Sequence, residues 1–266
     1  MNRQLYLECY SGISGDMTVA ALLDLGADEQ ILRKALASLP VGGFEIAVTR
    51  KVKSGLDVCD FDVILDAEHE NHDHDMEYLH GHDHQHTHDH EHVHEDGSVH
   101  THEHHHHDHS HEHHHDHGHH HEHRGLHEIL HIIEHADMTE RAKETAVRIF
   151  QILAEAESKA HGVPADQVHF HEVGAVDSIV DILAVAICLD NLDITEVIVP
   201  FLCEGQGSIR CQHGIIPVPV PAVVNIAQAH GLTLKPTGVQ GELVTPTGAA
   251  IVAAVRTSDK LPQTCR

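Results

Sequence analysis

The chain has 266 residues, a formal net charge of −26, 35 histidines and no tryptophan. Residues 67–123 hold 27 of those histidines and 15 of the 42 acidic residues, with no Lys or Arg, so the remaining ~209 residues carry a charge of about −11. That balance offers no basic field for nucleic acid. The longest apolar stretch, Ile179 to Leu189, is broken by Asp181 and falls short of the ~20 residues a membrane span needs. Six cysteines without a Cys-x-x-Cys pair, and a start without a basic and apolar leader, predict reduced thiols and a cytoplasmic protein.

In chain order, Leu5 to Tyr10 reads as a short buried strand, Ser11 to Asp16 as a glycine-rich turn and Met17 to Leu25 as a helix. Asp28 is a suitable N-cap for a second helix reaching Leu39. Alternating apolar residues then predict two paired strands, Phe44 to Lys53 and Cys59 to Leu65. The segment 67–124 has almost no aliphatic residue with which to offset the entropy of ordering. It is expected to be a disordered, metal-binding insertion between 1–66 and 125–266, which form the core. Its neutral imidazoles suit a divalent transition ion, with the runs His104, His105, His106 and His107, His113, His114 and His115, and His119, His120 and His121 as the densest ligands.

Beyond the tract, Leu126 to His135 and Thr139 to His161 read as two helices, the second stopped by Gly162 and Pro164. Val176 to Leu192 is a nearly all-apolar helix and must be buried and central. Glu196 to Val199 reads as a strand, Gly205 to Pro221 as a Gly/Pro-rich loop, Pro221 to His230 as a helix and Leu232 to Pro236 as a strand before a last helix. The fold class is α/β, mixed α+β: a central sheet with flanking helices, interrupted by the His-rich insertion.

Three segments outside the tract carry more polar chemistry than a core requires. Ser11, Gly12, Ser14, Gly15 and Asp16 lie where a strand gives way to a helix, a place whose free N–H groups favour phosphate, although the lysine of a P-loop is missing. A plain tight turn with Asp16 as cap fits equally; otherwise Asp16 is left for a metal or a sugar hydroxyl. His169, His171 and Glu172, followed by Asp177 and Asp181 at i,i+4, make an N/O metal set. Capping accounts for His169 and Asp177 but not for Asp181 inside an apolar helix. In Gly241 to Gly248, Thr245, Thr247 and Gly248 suit either an anion or a simple helix cap. His213 is a loop histidine, a ligand or merely exposed.

Taken together, Ser11-Gly12-Ile13-Ser14-Gly15-Asp16, His169-Phe170-His171-Glu172 through Asp177, His213-Gly214 with Pro217-Val218-Pro219, and Gly241 through Gly248 resemble the LarC family of nickel chelatases. The resemblance covers nearly all of the chain except the tract. It implies insertion of nickel(II) into pyridinium-3,5-bisthiocarboxylic acid mononucleotide, giving the nickel-pincer cofactor of lactate racemase, with CTP and Mg or Mn required. It further implies His169, His171, Glu172 and Asp177 as metal ligands, and His171, Asp16 and Glu172 in the chemistry. The mononucleotide phosphate is then expected at Ser11 to Gly15 or at Thr245 to Gly248. Two departures stand out: Glu8 where the family is expected to have Asp, and an end at Arg266 where a C-terminal domain is expected to follow. The expected partners are therefore the mononucleotide, the C-terminal half of the same family and apo lactate racemase as recipient, with a homo-oligomer left open and neither nucleic acid nor membrane involved. The rival reading is a non-enzymatic nickel or zinc store or metallochaperone.

Overall fold

The computed structural model describes residues 3–66, 92–93, 99–100, 124–168, 170, 175–211, 213–261 and 264. The chain's contacts fall into two compact units, Met1–His74 with Glu122–Arg266, and Asp75–His121. In the second, the described residues are one antiparallel pair, His92–Val93 (β4) with Val99–His100 (β5). The tract histidines named above, with His169, His171 and Glu172, lie outside the described residues.

The first unit is mixed α/β, as the sequence predicts. Its elements are β1 (Arg3–Tyr6), α1 (Gly15–Asp24), α2 (Glu29–Leu36), β2 (Phe44–Lys53), β3 (Leu56–Leu65), α3 (Leu126–His135), α4 (Glu140–His161), α5 (Val176–Asn191), β6 (Ile194–Ile198), β7 (Leu202–Gln206), β8 (Ser208–Cys211), β9 (Gly214–Pro217), α6 (Pro221–His230), β10 (Leu234–Gln240) and α7 (Pro246–Val255). The sheet comes in two-stranded pieces. β1 pairs with β6 and β10 with β7, both parallel; a single bridge from Cys9 to Leu202 joins the pieces, and one from Ile198 to Ser258 sets the segment after α7 beside β6.

Local chemistry explains most boundaries. Asp28 caps α2 by accepting from the N–H groups of Gln30 and Ile31 at 2.8 and 3.3 Å. Thr139 caps α4 in the same way, and Gly162 ends it in the left-handed conformation. Pairing of β3 begins at Leu56 rather than Cys59, because Ser54 and Gly55 both take positive φ in a two-residue turn that lets the ladder run to its end. The expected loop from Gly205 to Pro221 is in fact the end of β7 followed by the β8–β9 hairpin. Pro217 sits in the terminal position of β9, where a strand tolerates it.

Helix α5 is the centre of the unit, as its composition requires. Val176, Ile179, Val180 and the run Ile182 to Leu189 are buried, with α1, α2, α4 and β3 packed around it. Asp177 lies in the first turn of α5, and Asp181 is set deeper, between Val180 and Ile182.

Candidate functional site

All the parallel strands present their carboxyl ends at one edge, the usual place for a ligand in an α/β sheet. The chain leaves β1 through Cys9 into Ser11 to Asp16, and leaves β10 into Gly241 to Thr245. These two motifs, more than 220 residues apart in sequence, meet backbone to backbone. The Ile13 N–H donates to the Leu243 carbonyl at 2.9 Å, and the Thr245 N–H donates to the Ile13 carbonyl at 3.1 Å. Such an approach leaves no room for side chains. A Cβ on Gly12, which has φ of 84°, would run into the Leu243 carbonyl, and one on Gly248 would meet the Ile13 carbonyl.

Beneath this crossing lies α5. A Cβ on Gly15 would stand 2.5 Å from Oδ2 of Asp181, so glycine is what admits the carboxylate here. Oδ1 of Asp181 is buried without a hydrogen-bond partner. Burial first, then the carboxylates of Asp16 and Asp177, hold the Asp181 pKa well above the ordinary aspartate range, against the stabilising N–H of Asp16. Asp16, Asp177 and Asp181 thus form one acidic group drawn from α1 and α5. Ser14 donates its hydroxyl to Asp16. Asp16 is in the first turn of α1, whose N-cap is Ser14, and the N-cap of α5 is Ala175, so neither Asp16 nor Asp177 occupies the cap position. Thr245 does cap α7, accepting from the Gly248 N–H at 3.0 Å, and Thr247 is buried.

A second buried carboxylate supports the crossing. Glu204 on β7 is 1% exposed, and its Oε1 accepts from the N–H groups of Gly205, Leu243 and Val244 at 2.7, 2.9 and 3.1 Å, while Oε2 is buried without a partner. Nothing in the sequence singled it out; a lone Glu between Cys203 and Gly205 at the end of an apolar strand was the available signal. Next to it in the sheet, burial and then Cys203 push the Cys9 thiol up to about 11, which makes it a packed, protonated group rather than a thiolate ligand. Just before the loop, the rings of exposed Tyr10 and of Phe201 meet at 67° with centroids 5.5 Å apart, and the Lys235 ammonium lies 4.9 Å from the Phe201 centroid. Glu8, the departure noted above, is exposed.

His213 is exposed at the β8–β9 turn, with Nδ1 3.7 Å from Sγ of Cys211 and its ring 4.9 Å from that of His161. A groove of about 430 Å³ lies at the opposite ends of α5 and α7, lined by Arg141, Glu144, Arg148 and Asp190. Its Arg141 is tied to Asp190 and Asp193, and no predicted site residue reaches it.

Comparison with known proteins agrees with this convergence of motifs. A family model described as "Nickel insertion protein" matches residues 5–265. The chain belongs to the nickel insertion protein family. It is 50% identical, over 98% of its length and 54% of the relative's, to a pyridinium-3,5-bisthiocarboxylic acid mononucleotide nickel insertion protein of Alkaliphilus metalliredigens. A protein of the same name from Clostridium acetobutylicum is 44% identical over 95% of this chain and 55% of its own. A putative nickel insertion protein of Dictyoglomus thermophilum is 34% identical over 95% and 52%. The chain spans about half the length of these relatives. No solved structure matches it.

Proposed function

We propose that this chain binds nickel(II) as substrate and takes part in inserting it into pyridinium-3,5-bisthiocarboxylic acid mononucleotide, the reaction named for its relatives. The observation that carries this reading is the crossing itself: two motifs distant in sequence close over Asp181 at the ligand-binding edge of the sheet. An acidic group of three beside a glycine-rich loop favours a cation, and a phosphate there is best accommodated with a divalent ion between it and the carboxylates. Asp16 and Asp177 offer oxygen ligands, and His169, His171 and Glu172, which directly precede α5 in sequence, would add nitrogen and oxygen donors.

Forming a nickel–carbon bond requires a ring proton to leave. A carboxylate whose affinity for protons is raised, as that of Asp181 is, makes a stronger base than an ordinary aspartate. The aromatic pair Tyr10 and Phe201 with Lys235 suits an electron-poor ring bearing a phosphate. CTP and Mg or Mn are assigned as co-reactants, with the remaining half of the family's length as the second contributor and lactate racemase as recipient. Among the described residues no helix is long and apolar enough to cross a membrane. Cys9, Cys59, Cys188 and Cys203 are free thiols, which supports a reducing cytoplasm.

The test is reconstitution. The chain, the C-terminal half of a relative, nickel(II), the mononucleotide, CTP and Mg or Mn are combined, and nickel-bearing mononucleotide is sought by mass spectrometry. Product that falls at least tenfold with Asp181→Asn, a loss of about 1.4 kcal/mol in transition-state stabilisation, supports the proposal. Nickel binding without product would overturn it in favour of a metal store, for which residues 67–123 alone would suffice.

A further inference from the structure

We propose that the last turn of α3 is a surface site for one divalent transition-metal ion of borderline softness, held by His131, Glu134 and His135. The spacing i, i+3, i+4 places the three side chains on one helix face. One donor atom from each lies within 4.8 Å of the other two, so small rotations of these exposed side chains bring them to the ~3.0–3.4 Å spacing of donors around one ion with bonds of ~2.1 Å.

The imidazoles are already gathered, with ring centroids 4.1 Å apart. Nδ1 of His135 lies 2.9 Å from the His131 carbonyl oxygen. A carbonyl can only accept, so Nδ1 is the donor, and in the neutral ring Nε2 keeps the lone pair. Ligating histidines are oriented in this way, the second ring nitrogen donating to a backbone carbonyl and fixing both tautomer and ring.

The rest of α3 holds the site in place. Ile129, Ile132 and Ile133 on the other face are buried, and the Gly125 N–H donates to Glu128 at 2.9 Å to anchor the first turn. In sequence the helix starts three residues after His123, the last histidine of the tract. The site shares no residue with the loop crossing.

His-x-x-Glu-His is also the spacing of a helix in certain zinc peptidases. Such catalysis needs a metal in a cleft with a further protein ligand and a substrate-binding wall. Here all three donors come from one exposed turn, and the structure assigns binding and not hydrolysis. Imidazole with carboxylate suits nickel(II), zinc(II) or copper(II) rather than calcium or magnesium.

Histidine modification by diethylpyrocarbonate, mapped by peptide mass spectrometry on the full chain, tests the site with zinc(II) or nickel(II) in excess over the tract's capacity. The background is His127→Ala, because His127 is exposed one turn earlier and could replace His135 as the i,i+4 partner. Metal is expected to protect both His131 and His135, and His135→Ala on that background is expected to abolish protection of His131. Glu134→Gln is expected to shift half-protection to higher metal concentration. Full reactivity of both histidines in the presence of metal would overturn the proposal, as would protection of His131 that survives loss of His135. Magnesium(II) in the same assay is expected to protect neither, and protection by it would overturn the assignment to transition metals.

Discussion

At the loop crossing, the candidate donors are carboxylate oxygens brought together from α1 and α5 by tertiary structure; on α3, they are two imidazoles and a carboxylate from a single exposed turn. The first group is partly desolvated, and Asp181 has a raised affinity for a proton, with which an incoming cation competes. The second is open to water, with its two imidazoles already side by side. A borderline ion is therefore easily taken up on the imidazole turn, whereas occupancy of the crossing is tied to proton release. A site that removes a proton from its substrate gains from that coupling; a site that only collects metal does not.

The most severe way to break the comparison is to separate the two loops. Gly12→Ala imposes both a left-handed backbone on alanine and a collision with the Leu243 carbonyl, and should cost about 3 kcal/mol or more in chemical denaturation. Gly248→Ala, which collides with the Ile13 carbonyl without a positive φ, should cost less. Glu204→Ala leaves the N–H groups of Leu243 and Val244 without their acceptor and should destabilise by on the order of 3 kcal/mol, while Glu204→Gln, which retains an acceptor oxygen, recovers most of that stability. Equal losses for both Glu204 variants would show that packing rather than hydrogen bonding supports the crossing.

Asp181→Asn works in the opposite direction. The folded state binds the Asp181 proton more tightly than the unfolded state, so stability falls as pH rises from the ordinary aspartate value near ~3.9 through the raised folded value. Above that window the penalty is fully present. Asn removes it, and the variant should gain stability over the parent as pH rises through that window, by on the order of 1 kcal/mol for each unit by which the pKa is raised, about 3 °C in Tm per kcal/mol. Below pH ~3.9 the two curves should converge. A variant that is less stable at neutral pH would mean that Asp181 is better solvated than its buried oxygen indicates.

Element types were legible where periodicity and caps act locally. Val176 to Leu192 announces a buried helix by apolar content alone, and Asp181 stands out within it as a charge with no local reason to be there. The meeting of Ser11 to Asp16 with Gly241 to Gly248 was not legible, because it rests on long-range backbone contacts to which the glycines contribute only by lacking a side chain. Glu204 was hidden for the same reason, its partners being main-chain N–H groups forty residues away. The β8–β9 hairpin reads as a loop from sequence because glycine and proline usually break strands, whereas Gly207 and Gly214 here adopt the positive φ of turns. On α3, His131 and His135 are masked in sequence by a tract with many more histidines, although i,i+4 spacing on a helix fixes geometry in a way that abundance does not.

The α3 turn gives the smallest effect and the sharpest contrast. Because His131, Glu134 and His135 are exposed, whereas the buried positions of α3 are Ile129, Ile132 and Ile133, His135→Ala should change metal-free stability by less than ~0.5 kcal/mol, alanine's higher helix propensity offsetting the lost imidazole. With zinc(II) present, the parent chain should show slower amide exchange in the last turn of α3, since a ligand bound only to the folded turn stabilises it by mass action. The His135→Ala chain should show no such slowing at residues 131–135. Asp181→Asn should leave it untouched, since the two sites share no donor. If Asp181→Asn does change zinc-dependent exchange in α3, the two regions are energetically coupled and must be treated as one metal-handling system.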